Sequence, residues 1–342
     1  MRRPTIADLA RAAGVSVATV DRVLSGRLPV REETSRKVYE AAEKIGYHGT
    51  NLIRQRLFSD LPEYRLGVIL RKERHSFYQS FASEIEEAAN TARKCRLRLH
   101  VQFAQTAEPA EMADLLMAMQ GKVQAVAATG PDHHDVTSAV TELKSRGIPT
   151  FSLLSDFAQG VREAYIGANN LKAGRTAAWL ISHLARRPGK VILFVGGHRF
   201  HGHALRETGF RSYMREYAPD FEVLDALVNL ETRRLTYEAL LSALSRHENL
   251  VGVYCVGGGM EGAIEALREA GEGRGIVTLV NELTPDSRQA LLDRTISCVL
   301  QTPLRELCAD LVSMMVNTIE QGMSDTPGQR FLPPQIWVPE SL

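Results

Sequence analysis

The chain has 342 residues, of which 44% are hydrophobic and 24% are charged. This length is too great for one small module and suits two or three compact units, and the composition is that of a globular, core-forming protein. No apolar run approaches the roughly 18 residues that cross a membrane, so we expect no transmembrane segment. The formal net charge of +1 excludes neither nucleic acid nor any other class of ligand.

The charge is distributed unevenly along the chain. Residues 1–57 contain 11 Lys and Arg against 6 Asp and Glu, a surplus of five positive charges, whereas the remaining residues contain 30 against 34. A basic N-terminal segment attached to a mildly acidic body is typical of a protein whose first segment contacts phosphate groups.

Cysteine usage and the N-terminus indicate the compartment. The four cysteines form no CxxC pair and lie far apart, which is typical of a reduced, cytosolic protein; they are Cys95, Cys255, Cys298 and Cys308. Met1-Arg2-Arg3 resembles the start of a signal peptide, but Asp8 and Arg11 interrupt the segment that would have to be apolar. We therefore expect a cytoplasmic protein.

Residues 1–48 are predicted to form a domain of three short helices. Thr5 is the expected N-cap of the first helix, with Asp8 in the capping-box position. Ser16 caps the second helix, and the third ends at Gly46. Two helices joined by a short turn and closed by a third are typical of a helix-turn-helix DNA-binding unit. A small three-helix bundle that binds protein is the alternative.

Residues 49–64 are predicted to be a hinge, and residues 65–342 a body of class α/β. Short apolar runs alternate there with helical patterns, which predicts doubly wound parallel sheets with helices on both faces. The body is long for a single core, so we expect two lobes, with the chain crossing between them near 160–168, 290–303 and 322–332. The predicted strands are Leu66–Leu70, Leu97–Phe103, Val123–Ala128, Thr150–Leu154, Val191–Val195, Val251–Val256, Ile276–Val280 and Ile296–Leu300.

The N-terminal turn of the second helix carries the candidate contacts to DNA bases. Its apolar residues face inward, which leaves Val17, Ala18, Asp21 and Arg22 facing outward. Arg22 is suited to guanine O6 and N7, and Val17 and Ala18 can contact a thymine methyl group. Hydroxyl groups placed to bond phosphates belong to Thr5, Ser16, Thr19 and Thr34.

The segment from Thr5 to Gly26, continued through Thr34 and Tyr47, resembles the head of the lactose-repressor (LacI/GalR) family over about 45 residues without a gap. The body resembles the periplasmic-binding-protein fold that these regulators carry. The resemblance implies a homodimeric regulator that binds double-stranded operator DNA, with a small effector between the lobes controlling operator affinity. We predict a repressor of carbohydrate or polyol genes, with no enzymatic activity and no cofactor.

Two segments depart from the family pattern. Asp21 stands where the family usually has Ser; a carboxylate there repels phosphate, but it can accept from cytosine N4 or orient the neighbouring arginine. The hinge of the family usually carries Ala-Arg-x-Leu, with the Leu in the minor groove, and residues 51–57 break that spacing. Ile53 and Leu57 are the candidate apolar wedges, and Arg54 and Arg56 the candidate DNA contacts. An amphipathic turn in a dimer contact is the alternative.

Candidate effector contacts follow the strands, since doubly wound sheets bind ligands beyond the carboxyl ends of their strands. Arg206 lies in a segment similar to the Arg-x-x-Gly-aromatic segment of the family, whose arginine clamps ligand hydroxyls. The alternative for each candidate is that its side chain caps a helix or is a solvated group in a loop. The predicted contacts are Phe77, Tyr78, Asp132, Asp156, Asn169, His203, Arg206, Gly257, Glu282 and Gln301.

One loop also satisfies a dinucleotide-binding pattern. Gly257, Gly259 and Gly262 form GxGxxG after an apolar run, and Glu282 follows at the expected distance. An NAD-binding oxidoreductase or an NAD-sensing regulator is therefore the alternative function. In the LacI/GalR family, which this chain resembles, the corresponding loop contacts the effector and usually carries Asn-Asp. Since glycines at a helix N-terminus can bind an anion, the predicted effector is a sugar, a polyol, or an acidic or phosphorylated derivative.

Two groups of histidines are candidate metal sites. His198, His201 and His203 suggest a metal, but no Cys or acidic run lies nearby in the sequence, and a loop lining the cleft or a surface loop are the alternatives. His133 and His134 are adjacent and are not expected to face one site on a helix. We predict no metal site. No leucine heptad follows the last predicted strand, which favours a dimer over a tetramer.

Overall fold

The computed structural model describes residues 3–26, 28–57, 61–92, 94–271 and 275–342, with the backbone alone for residues 54–57. The chain divides into two compact units: residues up to 64 together with 92–97, and residues 65–91 together with 98–342.

The first unit contains a helical head. Its helices are α1 (Ile6–Ala13), α2 (Val17–Ser25), α3 (Glu32–Ile45) and α4 (Thr50–Leu57). The three predicted helices are confirmed, and the predicted capping box joins Thr5 and Asp8 at the start of α1. Side chains from all four helices meet in a small core that includes the fully buried Leu9, Val20, Val38 and Ile53.

The rest of the chain alternates strands and helices, as predicted. In chain order the elements are β1 (Glu63–Arg71), α5 (Ser76–Thr91), β2 (Arg96–Ala104), α6 (Pro109–Ala118), β3 (Ala125–Ala128), α7 (His134–Ser145), β4 (Thr150–Leu153), β5 (Ala164–Ala168), α8 (Asn170–Leu184), β6 (Lys190–Val195), α9 (His201–Tyr217), β7 (Glu222–Val223), β8 (Leu227–Val228), α10 (Arg233–Arg246), β9 (Leu250–Cys255), α11 (Met260–Ala270), β10 (Val277–Asn281), α12 (Pro285–Leu292), β11 (Cys298–Gln301), α13 (Leu304–Gln321), β12 (Gly328–Leu332) and β13 (Gln335–Trp337). All eight predicted strands are present.

Two sheets organise the body. The first has the strand order β12-β5-β4-β3-β1-β2, and the second has β13-β11-β10-β9-β6-β7 with β8 beside β6. Strands β1, β3, β4, β5 and β12 are parallel, as are β6, β9, β10 and β11, whereas β13 runs antiparallel to β11. Strands β3, β4 and β9 are buried along their whole length, because helices cover both faces of a parallel sheet.

Each sheet with its helices forms one lobe. The first lobe comprises residues 65–168 and 304–332, and the second comprises residues 169–303 and 333–342. The chain therefore passes from one lobe to the other between β5 and α8, between β11 and α13, and between β12 and β13. These three connections bring the carboxyl ends of both sheets to one cleft.

Helices α8 and α9 cross at close range because two glycines leave room for backbone. A Cβ atom on Gly174 would lie 1.9 Å from the carbonyl oxygen of Arg206, and one on Gly209 would lie 2.1 Å from that of Leu171. No side chain fits at such distances. This crossing fixes the backbone of Arg206 relative to α8.

We expect Gly174→Ala to destabilise the protein by at least about 2 kcal/mol, because the added methyl group must push α9 away. An alanine in an ordinary helix interior would instead stabilise by about 1 kcal/mol relative to glycine, so the sign of the change is diagnostic. Urea unfolding followed by far-UV circular dichroism measures it, with Thr176→Ala on the same helix as the control. A variant as stable as the wild type would show that the crossing is not close-packed.

Candidate functional site

The exposed face of α2 carries the predicted base contacts. Ser16 caps the helix, since its hydroxyl accepts a hydrogen bond from the backbone N–H of Thr19 at 3.1 Å. Val17, Ala18, Asp21 and Arg22 are all exposed, and Val17 is 51% accessible although it is apolar. The arrangement leaves these four side chains free to contact a ligand outside the head.

The predicted phosphate-bonding hydroxyls differ in their availability. The Thr5 hydroxyl already donates to Asp8 Oδ2 at 2.7 Å, and those of Ser16 and Thr19 lie 2.9 Å apart. Thr34 is half-buried in the first turn of α3. These local bonds orient the hydroxyl oxygens at the helix starts.

The hinge prediction is wrong for Ile53. This side chain is fully buried in the core of the head, where α4 packs on α2 and α3, so it cannot serve as a minor-groove wedge in this structure. The side chains of Arg54, Arg56 and Leu57 lie outside the described residues. Among the described side chains of α4, the exposed apolar one is Leu52, the neighbour of Ile53.

The second candidate site is a cavity of about 90 Å³ between the two lobes of the body. It lies beyond the carboxyl ends of the strands, where doubly wound sheets bind their ligands. Six of the ten predicted effector contacts line it: Phe77, Tyr78, His203, Arg206, Gly257 and Glu282. Lining residues absent from the sequence-based set include Arg71, Lys72, Ser155, Phe200, Glu231 and Asn281.

The other four predicted contacts have structural partners instead. Asp132 is exposed and accepts a bond from the backbone N–H of Ala158. Asp156 is buried in an ion pair with Arg162, whose Nη2 lies 2.7 Å from Asp156 Oδ2.

Asn169 and Gln301 do not line the cavity either. The Asn169 side chain caps α8 by accepting from the N–H of Lys172, so it is turned to its own helix. The Gln301 amide oxygen accepts from the indole N–H of Trp337 at 2.5 Å, which ties β11 to β13.

Arg206 is held rigidly at the cavity wall. Its Nε donates to Asn170 Oδ1 at 2.7 Å, and its Nη1 donates to the carbonyl oxygen of Val256 at 2.7 Å. Asn170 is buried and in turn donates to the carbonyl oxygen of Leu154 in the first lobe. The residue next to the predicted Asn169 is thus the one that orients the arginine.

Glu231 is the centre of a buried ion cluster that spans the cleft. Its Oε2 lies 3.0 Å from Arg71 Nη1 and 3.2 Å from Lys72 Nζ, and its side chain is only 9% exposed. Lys72 also donates to the carbonyl oxygen of Glu231 at 2.8 Å. Burial alone would raise the pKa of the Glu231 carboxyl, but the two cations hold it well below its usual range. The carboxylate is therefore ionised and joins the lobes.

The loop that carries this carboxylate is strained. Leu230 and Glu231 have φ values of 49° and 54°, in the left-handed region that costs energy for residues with a side chain. Sequence reasoning missed Glu231 because it follows the two-residue strand β8, which has no recognisable pattern.

His203 lies beside this cluster in its neutral form. Its Nδ1 accepts from the backbone N–H of Gly196 at 3.2 Å, and its Nε2 lies 3.7 Å from Glu231 Oε1. Burial lowers the pKa of His203 to about 4; the charge of Glu231 opposes this shift, and the cations Arg206, Arg71 and Lys72 add to it.

Glu282 is the second carboxyl group of the cavity. Its φ is 70°, and both of its oxygens accept hydrogen bonds from Thr302, one from the backbone N–H at 3.0 Å and one from the hydroxyl at 2.6 Å. Burial raises the pKa of Glu282, and the bonds from Thr302 oppose that shift without cancelling it.

An aromatic ring adds an apolar face to the cavity. The guanidinium carbon of Arg71 lies 4.5 Å from the centroid of the Phe200 ring.

Comparison with known proteins assigns both parts of the chain. Residues 5–50 match the family described as bacterial regulatory proteins, lacI family, and residues 66–322 match the periplasmic binding protein domain. The chain belongs to the LacI family of bacterial transcriptional regulators. The resemblance stated from the sequence is confirmed for the head and for the body.

Individual relatives agree with this assignment. The chain is 26% identical over 333 residues to the maltose regulon regulatory protein MalI of Escherichia coli (strain K12), with 93% of each chain covered. It is 27% identical over 207 residues to the ribitol operon repressor of Klebsiella aerogenes, which covers 58% of this chain and 72% of that one. An ABC transporter solute-binding protein from Burkholderia graminis C4D1M in complex with D-arabinose has the same body fold, with a TM-score of 0.75 at 20% identity over 82% of this chain and 97% of that one.

In this LacI-family regulator the glycine loop serves packing rather than a dinucleotide. The backbone N–H of Gly258 faces Glu231 Oε1 at 3.4 Å, so the position where a pyrophosphate would lie holds the protein's own carboxylate. A Cβ on Gly257 would lie 2.6 Å from His203 Nε2, and one on Gly262 would lie 1.9 Å from the carbonyl oxygen of Arg233 on α10. The NAD-binding alternative is therefore not supported.

The histidines of the sequence analysis are dispersed. His198 is exposed, His201 is half-buried at the start of α9, and His203 is buried in the cleft. In contrast, donor atoms of His133, His134 and Asp135 lie within 4.8 Å of one another, so the two adjacent histidines face one site, contrary to the prediction. None of the helices in the described residues is long and apolar enough to cross a membrane.

The neutral His203 predicts how stability depends on pH. The imidazole of the unfolded chain takes up a proton below its ordinary pKa of 6.5, whereas that of the folded chain does so only near 4. Stability is therefore lost as the pH falls between these values, by about 2 kcal/mol from pH 7 to pH 5. Urea unfolding at both pH values should show this loss in the wild type and in the exposed control His134→Gln.

The variant His203→Gln keeps an acceptor for the N–H of Gly196 but has no proton to gain. Its unfolding free energy should change little between pH 7 and pH 5. An unaltered pH dependence in this variant would assign the effect to other groups.

Proposed function

We propose that this LacI-family regulator represses genes of carbohydrate or polyol use, and that a sugar-like effector in the interlobe cavity sets its affinity for the operator. The observation that carries the proposal is the composition of the cavity wall. Both lobes supply rigidly held polar groups to one small cavity, with Arg71 and Ser155 from the first lobe and Arg206 and Asn281 from the second. The names of the relatives, a maltose regulon regulator and a ribitol operon repressor, support the class of ligand.

The proposed mechanism is thermodynamic linkage between effector binding and operator binding. A ligand that contacts both lobes favours one arrangement of them, and operator DNA favours another, so each lowers the affinity for the other by the same factor. An effector that binds the arrangement with low operator affinity about 100-fold more tightly, or by ~2.7 kcal/mol, is enough to shift the equilibrium between the two arrangements substantially.

The head supplies sequence recognition. In the proposed complex α2 enters the major groove, Arg22 reads a guanine, and Ser16, Thr19 and Thr34 bond phosphates. A second copy of the chain binds the other half of a near-palindromic operator, which makes the regulator a homodimer that acts on DNA in the cytoplasm.

Replacing the base-reading arginine tests the DNA contact. We expect Arg22→Ala to weaken operator binding by about 1–3 kcal/mol and to relax the preference at one base position. Fluorescence anisotropy against a selected operator and its single-base variants measures both effects. Lys44→Ala, an exposed basic residue at the end of α3, is the control for a loss of charge alone. Equal affinity of Arg22→Ala for every base variant and for the wild-type operator would contradict this role.

Replacing the cavity arginine tests the effector site. A panel of sugars, polyols, sugar acids and sugar phosphates is screened for an increase in melting temperature, since a ligand at 100 times its Kd stabilises by ~2.7 kcal/mol. We expect Arg206→Ala to abolish both the stabilisation and the change in operator affinity caused by the active compound. The control is Arg234→Ala on the outer surface of α10, with 86% of its side chain exposed. A full response in Arg206→Ala would place the effector elsewhere.

A further inference from the structure

The charged groups of the cavity do not balance. Among the described lining residues, Arg71, Lys72 and Arg206 carry positive charge, and Glu231 and Glu282 carry carboxyl groups. Glu261 lies at the edge of the cleft, where His75 Nε2 bonds its Oε1 at 3.1 Å, and it is not a lining residue. With both lining carboxyl groups ionised, one positive charge is left over.

One carboxylate serves two of these cations. Glu231 Oε2 is shared between Arg71 Nη1 and Lys72 Nζ. Arg71 has 6% of its side chain exposed, and within the part of the chain that the structure describes its Nε has no hydrogen-bond acceptor. A buried donor on a charged group without an acceptor costs free energy, so the pairing of Arg71 within this cluster is incomplete.

The third cation has neutral partners. Arg206 donates to the amide oxygen of Asn170 and to the carbonyl oxygen of Val256, and no described residue forms a salt bridge with it. Glu282 does not supply the missing charge, because Thr302 occupies both of its oxygens and one positive charge is left over even when Glu282 is ionised. The surplus positive charge is therefore available to a ligand.

Resting on the function proposed above, we propose that the effector is a polyhydroxy monocarboxylate, a sugar acid whose carboxylate is bound by the cations of the cavity and whose hydroxyls face Asn281 and Glu282. A carboxylate offers only acceptors and one negative charge, which matches the surplus charge and a lining arginine, Arg206, whose partners are all neutral. A neutral sugar would leave that charge uncompensated.

Two observations favour a carboxylate over a phosphate ester. The backbone N–H of Gly258 in the glycine loop, which would suit a phosphate, faces the Glu231 side chain. The surplus of one positive charge also matches a monoanion better than a dianion.

Matched ligand pairs test the inference on the full-length protein. Isothermal titration compares D-gluconate, D-galactonate, D-glucuronate and D-ribonate with D-glucitol, galactitol, D-glucose and ribitol, and with D-glucose 6-phosphate, all at the same ionic strength. We expect at least one acid to bind about tenfold or more tightly than the neutral compound of the same carbon skeleton, because hydrogen bonds to charged groups are the stronger ones. Acids that bind no better than their neutral partners, or less well than the phosphate, overturn the inference.

A pair of lysine variants separates charge recognition from a general loss of binding. Lys72→Met removes one cavity cation, and Lys122→Met removes an exposed lysine of the same lobe. The ratio of acid to neutral affinity should fall about tenfold in Lys72→Met and stay unchanged in Lys122→Met. An unchanged ratio in both variants contradicts the inference.

The same titrations distinguish failure of the inference from failure of the proposed function. Neutral compounds that bind and alter operator affinity, while the acids do not, overturn the sugar acid but leave a carbohydrate effector in place. A panel in which no compound binds or alters operator affinity counts against both.

Discussion

The buried carboxylate of Glu231 is the constraint on which the cleft depends. An ionised carboxylate in a low-dielectric interior is tolerated only if cations and hydrogen bonds surround it. Here the cations come from the first lobe and the carboxylate from the second, so satisfying one charge fixes the lobes relative to each other. The same carboxylate faces the N–H of Gly258 and lies beside His203, and it therefore also determines what the glycine loop and the imidazole can do.

Glycine carries much of this architecture for steric rather than chemical reasons. Gly174 and Gly262 each allow the backbone of one helix to approach another, at positions where a methyl group would overlap a carbonyl oxygen. Gly257 leaves room for the ring of His203. These positions explain why a GxGxxG pattern can arise without a nucleotide: close helix packing and phosphate binding both require glycine after a strand, and spacing alone does not separate the two causes.

The sequence was most informative where one physical rule dominates. Alternation of apolar runs and helical patterns predicted eight strands of the two sheets. The rule that ligands lie beyond strand ends placed Glu282 at the cavity, and the resemblance of one segment to the family placed Arg206 there. Strand β5, with the sequence Ala-Tyr-Ile-Gly-Ala, was missed because alanine and glycine have low β-propensity, although parallel neighbours bury it completely. The same rule about strand ends also applies to Arg71 and Lys72 at the end of β1, although the predicted contacts near this strand were the aromatic pair that follows.

Other errors arose where tertiary packing decides the role of a residue. Asn169 and Asn170 are adjacent amides at a helix start, and nothing in the sequence shows which one caps the helix and which one bonds Arg206. Ile53 was given an exposed role because the hinge of related regulators inserts an apolar side chain, yet here α4 folds onto the head and buries it. Glu231 owes its importance to a partner 160 residues away, which local pattern cannot reveal.

The strained, buried cluster has a consequence for selectivity. Ion pairs of this kind add little net stability, because the cost of removing the charges from water is close to the energy recovered between them. A cleft with fixed, incompletely paired donors does, however, discriminate strongly among ligands, since a ligand that lacks the complementary acceptor leaves a desolvated donor unsatisfied. Leu230 and Glu231 accept unfavourable backbone angles to place the carboxylate, and Arg206 is held by two bonds before any ligand arrives. The wall is thus organised in advance around one pattern of charge, so recognition depends on how well the ligand completes that pattern rather than on how much surface it buries.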